Sequence, residues 1–107
     1  MKLEELQQKA IELLKNLIQT QSFSGEEDQT AQLLENWMQD FGIQYERHLN
    51  NVWAKNDHFD DSKPTLLLNS HHDTVRPNKG YTRDPFKAEI IDGKLFGLGS
   101  NDAGGCL

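Results

Sequence analysis

Cysteine is almost absent: Cys106 is the only one in 107 residues, so no internal disulfide can form and a reducing compartment, the cytoplasm, is expected. Long apolar runs are absent too, and nothing approaches the roughly 20 residues that a membrane-crossing helix needs. Positive charge is scarce. Eleven Lys and Arg against 17 Asp and Glu leave a formal charge of −6. A nucleic-acid partner is therefore not expected, because displacing counterions from phosphates takes a basic face. The opening MKLEELQQKAIELL carries acids among its apolar residues, unlike a signal sequence or an Arg-rich transit peptide. Apolar residues make up 36% of the chain, enough for a modest core. The length suits one small domain or a piece of a larger one. The close at Gly104-Gly105-Cys106-Leu107 looks like the entry to a further helix, so a chain cut before its next element is expected.

What is present is patterned. Leu3, Leu6, Ala10, Leu13 or Leu14, Leu17 and Ile18 step by threes and fours, which predicts a helix over residues 3–20. Ser24-Gly25-Glu26-Glu27 has the form of a capping box for a second helix. Ala31, Leu34, Trp37 or Met38, and Phe41 form that helix's apolar stripe, and Gly42 is its expected stop. Strand signals follow at 43–46 and 52–55 around an Asn50-Asn51 turn, with Trp53 expected in a strand core. Residues 57–63 are polar loop. Leu66-Leu67-Leu68 lacks alternation, which predicts a strand buried on both faces. Asp92-Gly93 between 87–91 and 94–96 is the strongest hairpin signal. Helices leading into a buried strand indicate a layered α/β fold.

At the end of the tri-leucine run stands Asn69-Ser70-His71-His72-Asp73-Thr74-Val75. Strand alternation sets His71 and Asp73 on one face and His72 and Thr74 on the other. A metal-binding imidazole needs an acceptor on its second nitrogen, to set the tautomer and raise basicity. His71 has Asp73 on its own side, to contact the ring directly or to orient it through a neighbour, whereas His72 has only Thr74 beside it. An H-x-D triplet alone is more often a surface feature than a metal site. A second half is offered by Gly97-Leu98-Gly99-Ser100-Asn101-Asp102-Ala103-Gly104-Gly105, where one carboxylate lies among residues of small side chain. The stretch lacks the Lys-Ser/Thr of a phosphate loop and the spacing of a dinucleotide fingerprint. No serine sits in a nucleophile elbow, and His48 and His58 are expected at the surface.

Together, H-H-D-T-V at 71–75, Y-T-R-D-P-F at 81–86, D-G-K-L-F-G-L-G at 92–99 and Asp102 resemble the acetylornithine deacetylase, succinyl-diaminopimelate desuccinylase and carboxypeptidase G family. The T-R-D-P-F and D-G-K-L-F-G-L-G strings are most similar to the acetylornithine deacetylases, and S-G-E-E after the first helix fits as well. The resemblance implies a three-layer α/β/α zinc-hydrolase catalytic domain, of which residues 1–107 are the N-terminal portion. It implies two Zn2+ ions, or Co2+, with His71 as a terminal ligand, Asp102 as the bridging carboxylate, and Asp73 as the acid that orients His71. The implied reaction is hydrolysis of an N-acyl amino acid by a homodimeric parent. A dipeptidase or aminopeptidase of the same fold, and a non-catalytic binding module, are the alternatives. Two features depart from the family pattern: Ala103-Gly104 replaces a common Met-Lys after the bridging acid, and Tyr81 stands where Trp is common. The remaining ligands and the general base that the family uses are absent from the chain, so on its own it is expected to be inactive.

Overall fold

A computed structural model describes residues 1–107. Helix α1 spans Leu3–Gln19 and α2 spans Asp28–Asp40. They are followed by strands β1, Glu46–His48; β2, Asn51–Trp53; β3, Glu89–Ile91; and β4, Lys94–Phe96. The elements are mixed helix and sheet, as expected for an α/β chain. The strands form two separate antiparallel hairpins, β1–β2 and β3–β4.

The helical periodicity is realised almost to the residue, but burial is confined to one end. Ile18 is the only buried residue of α1, while Leu3 and Leu6 face solvent. The buried residues are Ile18, Ser22, Phe23, Thr30 and Ala31, which come from the end of α1, the link, and the start of α2. This small core lies where the link meets the His71–Thr74 segment. Thr74 N–H donates to the Ser22 carbonyl at 2.8 Å, and Ser24 N–H donates to the Thr74 carbonyl at 3.1 Å, making a single parallel bridge. The chain is extended overall, with a radius of gyration of 15.2 Å against about 13 Å for a compact domain of similar length.

Helix α2 stops as the glycine predicts. Gly42 takes a φ of +66°, its N–H donates to the Gln39 carbonyl, and Ile43 N–H donates to that of Met38. This pairing closes the helix in a Schellman motif. Its start differs from expectation. Glu27, not Ser24, occupies the cap position, and the Glu27 carboxylate accepts the Gly25 N–H at 2.6 Å. The capping box does not form, and the Ser24 hydroxyl is directed elsewhere.

Asp92-Gly93 forms the hairpin turn that its sequence predicts, with φ of +52° and +75°. The first hairpin is shifted: β1 begins at Glu46, and its turn is Leu49-Asn50, with His48 opposite Asn51. Leu49 is held at a φ of +55°, where its carbonyl accepts the Arg47 Nε–H at 2.6 Å. The same guanidinium meets Asp28 at 2.6 Å and Glu35 at 3.5 Å, tying the hairpin to α2.

Two further expectations are corrected. Trp53 is 43% exposed, because strand alternation sets it on the face of β2 opposite the half-buried Val52, and that face of the hairpin stays open. Leu66, Leu67 and Leu68 form no strand and are 83%, 80% and 86% exposed respectively. A strand buried on both faces needs neighbouring strands and covering helices, and here both hairpins pair only within themselves. No helix is long and apolar enough to cross a membrane.

Candidate metal centre

The two halves of the site meet across 31 residues of sequence. His71 Nε2 lies 2.9 Å from Asp102 Oδ1. On the other side of the ring, His71 Nδ1 lies 3.0 Å from Asp73 Oδ1 and 3.2 Å from the Asp73 carbonyl. Asp73 is thus the acceptor that the face argument assigns to His71. His72 points away. Its Nδ1 is 2.8 Å from Thr30 Oγ1, and its Nε2 is 2.8 Å from the Asn50 carbonyl. A carbonyl only accepts, so His72 Nε2 carries a proton and the ring cross-links α2 to the first hairpin.

The Asp102 loop reaches His71 because glycines let it lie against α1. A Cβ at Gly97 would collide with the Ile18 side chain, and one at Gly104 would lie 2.5 Å from Leu14 Cδ1. At Gly99, a Cβ would lie 2.8 Å from the Thr74 methyl. The Leu98 N–H donates to the Pro85 carbonyl at 2.7 Å, fixing the near end of the loop. A cleft of about 290 Å³ opens over the pair, lined by His71, Asp73, Val75, Ser100, Asn101 and Asp102 among others. Asp102 is 87% exposed at its side chain, so its oxygens remain accessible from the cleft.

Electrostatics follow from this geometry. The hydrogen bond to Asp102 raises the His71 pKa, and the Asp73 carbonyl acts in the same direction. Asp73 is held below its ordinary value, first by a hydrogen bond from Ser24 Oγ to its Oδ2 at 2.5 Å and then by attraction to His71, against some opposing burial. Flanked by acceptors at both nitrogens, the free imidazole favours its doubly protonated form.

The donor set fits a divalent cation in part. An imidazole nitrogen and a carboxylate oxygen 2.9 Å apart can share one ion at bond lengths of about 2.0–2.2 Å, with Asp73 holding the second nitrogen. No third His, Cys, Asp or Glu converges on that point, so the chain provides two donors where about four positions are needed.

Sequence reasoning brought His71, Asp73 and Asp102 together and set His72 apart. It missed Ser24 as the partner of Asp73, and Thr30 and Asn50 as the partners of His72. Ser24 lies 49 residues from Asp73, and its most evident local role was a helix cap.

Over 89% of its length the chain is similar to curated proteins named acetylornithine deacetylase. It is 37% identical over 110 aligned residues to that of Klebsiella pneumoniae (strain 342). It is 36% identical to those of Salmonella paratyphi B (strain ATCC BAA-1250 / SPB7) and Salmonella newport (strain SL254). The chain spans about 28% of the length of these relatives. No model of a known protein family matches it.

Proposed function

We propose that residues 1–107 are the N-terminal portion of the three-layer α/β/α catalytic domain of a metal-dependent N-acyl-amino-acid deacylase. The observation that carries the reading is the convergence of His71 Nε2 and Asp102 Oδ1 at 2.9 Å, with Asp73 on the opposite ring nitrogen. The similarity to acetylornithine deacetylases supports an N-acylornithine-type substrate and a place in arginine biosynthesis.

In this reading His71 and Asp102 hold Zn2+ or Co2+, and further ligands complete a two-metal centre. Such ions supply a Lewis acid for the amide carbonyl and lower the pKa of water toward neutrality. The chain's own residues prepare that chemistry. Asp73 holds the proton on Nδ1, which would leave the Nε2 lone pair for a bound cation. Asp102 would contribute a negative charge that offsets the repulsion between such cations. The cleft beside Val75 and Asn101 receives the acyl amino acid at the same edge. The parent is read as a cytoplasmic homodimer.

The test is made on the full-length parent. Purified with chelator, it should lose hydrolysis of N-acetylornithine and regain it with Zn2+ or Co2+. His71→Ala and Asp102→Ala should each lower its metal content. A parent that hydrolyses dipeptides and not N-acylornithine would move the reading to a dipeptidase of the same fold. One that binds no metal and cleaves neither would leave a binding module.

A further inference from the structure

We propose that Ser24 is a positioning residue of the deacylase site, holding the Asp73 carboxylate in the orientation that fixes the His71 imidazole. The inference rests on the metal-dependent reading above and adds to it a side chain from the α1–α2 link.

Three observations carry it. The Ser24 hydroxyl donates to Asp73 Oδ2, while Asp73 Oδ1 faces His71 Nδ1 at 3.0 Å, so each carboxylate oxygen has its own partner. Gripped at both oxygens, the carboxylate cannot rotate about its Cβ–Cγ bond without losing a hydrogen bond. The hydroxyl is also delivered by backbone. Thr74 N–H on the Ser22 carbonyl and Ser24 N–H on the Thr74 carbonyl lock the two segments in register, one residue from each partner. Ser22 and Phe23 beside it are buried, so this register is part of the core.

The third observation is that Ser24 is released from the work its sequence context suggests. Gly25 turns the chain at a φ of +87°, and Glu26 N–H donates back to the Phe23 carbonyl at 2.7 Å. Glu27 satisfies the Gly25 N–H itself and receives the Asn50 amide at 3.0 Å. Nothing at the start of α2 uses the Ser24 hydroxyl. S-G-E-E is here a turn that presents a serine to a carboxylate, and the chain Ser24–Asp73–His71–Asp102 runs unbroken from the link to the metal-facing nitrogen.

The experiment uses the full-length parent loaded with Co2+, whose affinity is read from visible absorption, and compares Ser24→Ala, Ser24→Thr, Asp73→Ala and the Ser24→Ala/Asp73→Ala pair. Partners behind a metal ligand commonly change affinity by about 10–100-fold. Ser24→Ala should weaken Co2+ binding about tenfold, and Ser24→Thr, which keeps the hydroxyl, should restore it to within about threefold. Because Ser24 acts through Asp73, its removal should add nothing in the Asp73→Ala background. Circular dichroism of each variant separates a lost fold from a lost contact. Unchanged affinity in a folded Ser24→Ala, or a fully additive loss in the pair, would overturn the inference and leave the deacylase reading intact. A wild-type parent that binds no Co2+ would overturn both.

Discussion

Replacing Gly104 with alanine sets a methyl group against three atoms at once. The new Cβ would lie 2.5 Å from Leu14 Cδ1, 2.6 Å from the Gly99 carbonyl oxygen and 2.9 Å from that of Ser100. Carbon atoms meet comfortably at about 3.5–4.0 Å, so the Leu14 contact is more than about 1 Å too close. Leu14 can change rotamer. The two carbonyls belong to the turn itself, where Gly99 accepts the Gly104 N–H at 2.9 Å, and cannot retreat without breaking it. Burying one methyl returns at most about 0.8 kcal/mol, whereas forcing extra volume into a packed site costs about 1–3 kcal/mol. With a urea dependence of about 1–2 kcal/mol/M, the midpoint of the 107-residue chain should fall by about 0.5–3 M. Gly105 supplies the control. A Cβ there meets nothing closer than 3.5 Å, so Gly105→Ala should leave the midpoint unchanged or slightly raised. Equal midpoints for Gly104→Ala and wild type, by urea titration followed with circular dichroism, would refute the claim that the Asp102 loop is seated against α1. The pair Gly104→Ala/Leu14→Ala should recover only part of the loss, since both carbonyls remain.

Further predictions concern charge, strain and exposure. His71 should titrate by NMR above its ordinary value of 6.5, and Asp102→Asn should bring it down. With the folded-state value raised, this attraction stabilises the fold in full below about pH 6.5 and is lost as pH rises through the folded pKa. Asp73 acts in the opposite window, stabilising above its ordinary 3.8 and losing that contribution as pH falls through its lowered value. His72→Ala should cost about 1–3 kcal/mol in chemical denaturation through its lost bonds to Thr30 and Asn50, while metal content of the parent survives. Leu49→Asn should stabilise by about 1 kcal/mol, because Asn tolerates the positive φ that Leu adopts there, and a lower melting temperature would count against this. Leu67→Lys should change the chain's stability by less than about 0.5 kcal/mol and reduce light scattering on concentration.

How far the sequence could be read depended on the range of the interaction. Helix α1, the Gly42 stop and the Asp92-Gly93 turn are set by periodicity and by backbone angles that few residues accept, so neighbours in sequence suffice to find them. The separation of His71 from His72 was legible for the same reason, because successive side chains in extended backbone point to opposite sides. Asp102 was found by the chemistry of its loop, one carboxylate among small residues, and by family resemblance.

Tertiary structure decided the rest. Whether S-G-E-E caps a helix or presents Ser24 to Asp73 depends on a backbone bridge between Phe23 and Thr74, 51 residues apart in sequence, which no local pattern encodes. That Leu66, Leu67 and Leu68 are exposed depends equally on remote chain, because an apolar strand is buried only when other strands and helices arrive to cover it. The sequence by itself determined which residues are chemically suited to hold a metal. Only the tertiary structure brought His71 within 2.9 Å of Asp102, because that contact requires glycine-lined packing of the loop on α1.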